Sequence, residues 1–134
     1  PIPGLEEAGY LTNVEALQLD EAPARLVVIG GGPLGLEFAQ IFSRFGSHVT
    51  VLEVQPHVVP RAEPEISAVL QAALEADGIA IRTGVRIQRV ESGSTKTVVC
   101  GPAATDRLEA DAILVATGIR ANTEDLARIH QGCG

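Results

Sequence analysis

The residues best placed to do chemistry here are glycines. Gly30, Gly32 and Gly35 stand in the spacing G-x-G-x-x-G within Gly30-Gly31-Gly32-Pro33-Leu34-Gly35-Leu36-Glu37, directly after the apolar run Leu26-Val27-Val28-Ile29. Each position carries its own physical demand: a tight turn, close approach of backbone to a pyrophosphate, and close packing of helix on strand. A helix opening at that point aims unpaired N–H groups and the positive end of its dipole at an anion, so a phosphate is stabilised without a basic side chain. Pro33 suits the first turn, where the N–H it lacks has no intrahelical partner.

The same glycine spacing occurs in turns that hold no ligand, so the surrounding elements decide its meaning. A strand over Arg25 to Ile29 precedes it. A helix from about Leu34 to Phe45 follows, with Leu34, Phe38, Ile41, Phe42 and Phe45 at helical spacing and Gly46 as its stop. A second strand, His48 to Glu53, ends on a carboxylate 23 positions after Gly30. A carboxylate at that tip accepts hydrogen bonds from the 2′- and 3′-hydroxyls of an adenosine ribose and repels a 2′-phosphate. Val54, Gln55 and Pro56 bring no charge beside it, and Arg61 lies beyond a two-proline loop, useful to a phosphate only if that loop folds back.

The elements that must hold these residues continue the pattern. A helix from about Glu63 to Asp77 carries the stripe Ile66, Val69, Leu70, Ala73 and Leu74 and stops at Asp77-Gly78, and Ile79 to Thr83 is the third strand. This βαβαβ order implies an α/β, Rossmann-like parallel sheet with right-handed crossovers. Three further strands, Val85 to Glu91, Lys96 to Cys100 and about Arg107 to Ala110, form a β-meander where another crossover helix would stand. Ala112 to Ala116 reads as a buried strand returning to the sheet and ending at Thr117-Gly118, with Gly118 on the carboxyl edge where ligands of such sheets lie. Asn122 to Ile129 reads as a helical turn. The stretch from Pro1 to about Pro23 is a linker, in which Asn13 to Leu17 forms a helical turn capped by Asn13.

Composition narrows the function classes. A chain of 134 residues makes one domain. Its low aromatic share suits a core of Val, Ile, Leu and Ala. A net charge of −7 disfavours nucleic acid and anionic membranes as partners. No apolar run approaches the roughly 20 residues of a membrane span and no secretory leader opens the chain, which points to the cytoplasm. Cys100 and Cys133 share no redox or metal spacing, and His48, His57 and His130 are scattered, so no catalytic triad or metal cluster is expected. Cys100 ends the run Thr97-Val98-Val99 as a small buried hydrophobe.

With these residues in view, the chain resembles the NAD(P)-binding domain of the pyridine nucleotide-disulfide oxidoreductases, the flavoprotein family of dihydrolipoamide dehydrogenase and mercuric reductase. The resemblance runs through Pro1-Ile2-Pro3-Gly4, Thr12 to Leu17, the turn from Gly30 to Glu37, Pro60-Arg61-Ala62-Glu63-Pro64-Glu65 and Ala116 to Thr123. Ala121 stands where the family usually has Pro, and Ile119 where many members have Arg. The resemblance implies that Gly30, Gly31, Gly32, Pro33, Leu34 and Gly35 surround the pyrophosphate of NAD(H), with Glu53 on the ribose. It further implies Glu37 near the nicotinamide carboxamide, Val85 packing near adenine, and Gly118 beside the nicotinamide end. As residues alone, Glu37 also reads as a first-turn acid and Val85 as core.

Family members carry FAD on a separate domain with a C-x-x-x-x-C disulfide, and an interface domain with a His-Glu pair. Residues 1–23 therefore read as a linker from a missing FAD domain and 24–134 as the NAD(H)-binding domain, with no catalytic residue in this piece. The isolated chain is expected to be inactive, its partners being the FAD and interface domains of a homodimeric parent. Two alternatives stay open: an FAD-binding Rossmann unit, and a non-catalytic dinucleotide sensor or structural domain.

Overall fold

The computed structural model describes residues 2–116. In chain order the elements are α1 (Leu5–Ala8), α2 (Asn13–Leu17), β1 (Arg25–Ile29), α3 (Pro33–Arg44), β2 (His48–Glu53), α4 (Pro64–Ala76), β3 (Ala80–Thr83), β4 (Ile87–Glu91), β5 (Lys96–Cys100), β6 (Asp106–Ala110) and β7 (Ala112–Val115). A parallel sheet runs β3-β2-β1-β7, and β4-β5-β6 form a separate antiparallel sheet. The expected α/β architecture, with a meander and a returning strand, is the one that forms. Thr117 onward, including Gly118, His130, Cys133 and the turn expected over Asn122 to Ile129, lies outside the described residues.

β1 is central: Val28 lies opposite Val51 and Leu114, and Ile29 opposite Leu52 and Val115. Both of its faces are covered, which is why Leu26 to Ile29 are apolar without alternation. Successive side chains point to opposite faces. Leu26, Val28, Val51 and Leu114 join the core under α3 and α4, whereas Val27, Ile29, Leu52 and Ile113 pack with Val90, Val98 and Ala110 of the meander. The result is three layers: helices, parallel sheet, antiparallel sheet.

Three expectations from the sequence do not hold, two from periodicity and one from capping preference. On α3 the buried residues are Gly35, Leu36, Phe38, Ala39 and Phe42, whereas Phe45, the C-cap residue, is 74% exposed. Ile41 is also exposed, because the face turned to the sheet runs through the small residues Gly35 and Ala39. On α4, Ile66, Val69 and Ala73 face outward; the buried residues are Ser67 and Leu74. Ser67 displaces the apolar stripe because its hydroxyl donates to the Val59 carbonyl at 3.3 Å, pinning that face to the preceding loop. The α2 cap is Thr12, not Asn13: Thr12 is extended and its N–H donates to the Glu15 carboxylate at 3.2 Å.

The stretch before β1 is packed along much of its length. Leu5 and Ala16 are buried, and Leu11 bridges the outer edge of β7, donating to Ile113 O at 2.7 Å and accepting from Val115 N–H at 2.9 Å. Helix α1 carried no periodic signal because it is a single turn anchored by Leu5 alone. Among the described residues no helix is long and apolar enough to cross a membrane.

The rotated α4 face has a measurable consequence. Leu74→Ala should cost about 2–4 kcal/mol, because a fully buried side chain is lost from under the sheet. Val69→Ala, 71% exposed, should stay within about 0.5 kcal/mol. Urea unfolding of the two variants checks this, and equal losses would mean that the apolar stripe read from periodicity is the buried face.

Candidate functional site

The chemistry collects at the carboxyl edge of the parallel sheet, where β1 passes into α3. Gly30 has φ of +112°, a conformation that side chains of L-residues oppose, and its N–H is held by Leu52 O at 2.8 Å. Gly35 is required by contact: a Cβ there would lie 2.2 Å from the Gly30 carbonyl oxygen and 3.2 Å from Ala116 Cβ. Gly32 differs from both. Its backbone is extended, with φ −77° and ψ 179°, and a Cβ would meet nothing within 4 Å. Neither conformation nor packing among the described residues asks for glycine at that position, and the space beside it is open.

The start of α3 beside that space carries free donors among the described residues. Leu36 N–H closes the first helical bond on Gly32 O at 3.1 Å. The N–H groups of Gly32, Leu34 and Gly35 have no acceptor among the described residues, and Pro33 has none to offer. Together with the dipole of a 12-residue helix they form an anion-binding end. Pro33 is exposed on its rim, and Leu34 is half-buried against the helical core.

Glu53 is 7% exposed, and both of its carboxylate oxygens are engaged. Oε1 accepts from Gly31 N–H and Oε2 from Gln55 N–H, each at 2.8 Å. The carboxylate is thus bolted to the glycine turn, in contrast to a solvated strand-end acid. Gly31 is held small by this contact, since a Cβ would lie 3.1 Å from Glu53 Cβ and 3.2 Å from Val58 Cγ1. Val85 N–H donates to Glu53 O at 3.1 Å and Gly84 N–H to Gln55 O at 2.8 Å, so the half-buried Val85 stands beside the same strand end.

A cleft of about 250 Å³ is lined by Gly30, Glu53, Val85 and Arg86 among others. Clefts of about 340 and 430 Å³ lie beside α2 and at the β7 edge. They are larger but hold none of the donors and acceptors described above. Glu37 is exposed on α3 and makes no hydrogen bond or ion pair among the described residues. Of the residues expected to share a site, the structure brings Gly30 to Gly35, Glu53 and Val85 to one edge. Glu37 stands farther along α3, and Gly118 is outside the described residues.

Two contributions were not read from sequence. The loop after β2 folds back: Val59, with φ of +45°, donates its N–H to Gly31 O at 2.7 Å, and Val58 is fully buried beneath it. The signal for this was the pair Val58-Val59 between two prolines, too apolar for a solvated loop. Arg86, the second, follows a residue that itself reads as core. Cys100 behaves as expected of a structural residue: it is buried, and burial pushes its thiol pKa up, away from the reactive thiolate.

A family profile described as Pyridine nucleotide-disulphide oxidoreductase matches residues 1–133. The mercuric reductase of Staphylococcus aureus is 39% identical over 127 residues, covering 93% of this chain and 23% of that protein. The dihydrolipoyl dehydrogenase of Chlorobaculum tepidum is 38% identical over 123 residues, covering 88% of this chain and 26% of that one. Among solved structures, the HOCl-induced flavoprotein disulfide reductase RclA from Escherichia coli superposes with a TM-score of 0.78 at 32% identity, over 87% of this chain and 26% of that one. The chain therefore spans about a quarter of the length of these relatives.

The separate demands on the glycines predict separate outcomes. Gly35→Ala should destabilise the fold by about 2–3 kcal/mol, since helix and strand must part to admit a methyl group. Gly32→Ala should cost at most about 1 kcal/mol, a helix-cap effect. Thermal unfolding of both variants tests the assignment, and a Gly32 variant as unstable as the Gly35 one would place an internal contact where open space is described.

Proposed function

The chain belongs to the pyridine nucleotide-disulphide oxidoreductase family, and we propose that it is the part of such a flavoprotein that binds NAD(H). In this reading residues 24–134 hold the dinucleotide and 1–23 lead in from an FAD domain. An interface domain and a second copy complete the parent enzyme.

The observation that carries the reading is Gly32. A glycine that the described residues do not require, at a helix start where its own N–H and those of Leu34 and Gly35 have no acceptor among the described residues, fits a diphosphate drawn against the backbone; a Cβ would fill the cradle. Glu53 supports the adenosine end. Its oxygens are oriented by Gly31 and Gln55 N–H and keep lone pairs for the ribose hydroxyls. Val85 offers an apolar wall for adenine, Glu37 reaches the nicotinamide carboxamide, and Gly118 borders the nicotinamide ring. NADH when bound supplies a hydride, which a flavin accepts. The chain's own task is to hold the diphosphate, orient the ribose and present the nicotinamide face. An FAD-binding unit would use the same turn and acid. The match of Ala116 to Thr123 to the family's pyridine nucleotide domain, and the lack of a Gly-Asp pair anywhere in the sequence, favour NAD(H).

Calorimetric titration of the 134-residue chain with NADH, NADPH and FAD tests the proposal. NADH should bind saturably and about tenfold tighter than NADPH, because a 2′-phosphate meets the Glu53 carboxylate. FAD should not compete. Gly32→Val should abolish nucleotide binding at near-unchanged melting temperature. Glu53→Gln should narrow the gap between the nucleotides while losing about 1–3 kcal/mol of stability, since its amide sets an N–H against one of two backbone donors. Tighter binding of FAD than NADH, or full binding by Gly32→Val, would overturn the assignment.

A further inference from the structure

Most of the described arginines are matched with carboxylates. Arg25 pairs with Glu109 and Asp111 at 3.1 Å each, Arg82 with Asp106 at 2.7 Å, Arg89 with Glu91 at 3.0 Å, and Arg107 also with Glu91. Arg86 stands apart. Its side chain is exposed and in no ion pair among the described residues, yet its main chain is fixed, its carbonyl accepting Gly101 N–H at 3.0 Å. The bonds from Gly84 and Val85 N–H to Gln55 and Glu53 carbonyls stitch this segment to the end of β2. Arg86 therefore lines the same cleft as Gly30, Glu53 and Val85, whereas Arg61, the cation that sequence singles out, is not among the residues lining it.

A guanidinium in that place alters the electrostatics of the adenosine end. Alone, Glu53 penalises any anion on the ribose 2′ position. A nearby planar, permanently charged fork offers that anion a two-pronged partner. Nor is Arg86 taken up as the counterion of Glu53: no ion pair joins them, and the carboxylate is already held by two backbone N–H groups.

We propose that Arg86 is a specificity-determining residue of this site, supplying the cation for a 2′-phosphate. The chain then accepts NADPH as well as NADH, and Glu53 and Arg86 together set the ratio. The inference rests on the dinucleotide reading above and adds to it a second, opposing determinant. Attraction by Arg86 acts on one nucleotide only, because NADH carries a hydroxyl where NADPH carries the phosphate.

The test is a set of dissociation constants for NADH and NADPH, at low and moderate NaCl, on the whole chain and on Arg86→Ala and Arg86→Lys. Arg86→Ala should weaken NADPH about five- to tenfold and leave NADH within about twofold. Wild-type NADPH affinity should fall more steeply with salt than that of NADH, and this difference should shrink in Arg86→Ala. Arg86→Lys should retain most NADPH binding, and unchanged melting temperatures should show that all variants are folded. NADH binding with NADPH affinity unmoved by Arg86→Ala, an equal loss for both nucleotides, or wild type that binds NADH and not NADPH overturns the role of Arg86 alone. Failure of both nucleotides to bind wild type overturns the dinucleotide reading, and this inference with it.

Discussion

The approach of α3 to β1 at Gly35 is the contact on which the site depends. With no Cβ at that position the helix start lies against the Gly30 carbonyl, at a distance that a methyl group would cut to 2.2 Å. That closeness fixes where the first N–H groups of α3 point. It also lets the turn be short, so that Gly31 reaches the Glu53 carboxylate directly. Packing, anion-binding geometry and placement of the acid are thus one constraint seen from three sides.

Around this contact the protein builds a frame from backbone bonds. Leu52 O holds Gly30, Gly31 O holds Val59, and Glu53 O holds Val85. The ends of β1, β2 and β3 and the loop after β2 are therefore tied together by main-chain groups, whose geometry is indifferent to most side-chain substitutions. Side chains enter only where identity matters: a carboxylate at 53, small residues at 31 and 35, and open space at 32. An anion site made of N–H groups needs no basic residue, in keeping with a chain whose net charge is −7.

The two faces of the sheet divide the labour. The helical face carries α3 and the loop that seals Val58 over the turn; the antiparallel face buries Val27, Ile29 and Leu52 and delivers Arg86 at the start of β4. The meander thus does more than replace a crossover helix, because it brings a cation to the edge where the acid stands. Charge at this edge of the sheet is contributed by both layers, from segments 33 residues apart in sequence.

The sequence by itself determined the elements and the turn. Strand runs such as Leu26 to Ile29, glycines that end or break elements, and Glu53 at a strand tip are local features, and local sterics dictate them. Family membership was legible for the same reason, since motif residues lie in short contiguous stretches. Tertiary structure alone decided which face of a helix is covered. Periodicity marks Val69 and Ile41 as apolar but does not contain the partner surface, and the buried faces run through the small residues Ser67, Ala39 and Gly35. It also decided the return of Val59 to Gly31 and the placing of Arg86 and Glu53 on one cleft. Juxtapositions across 28 and 33 residues are set by how layers stack, and no local pattern encodes that.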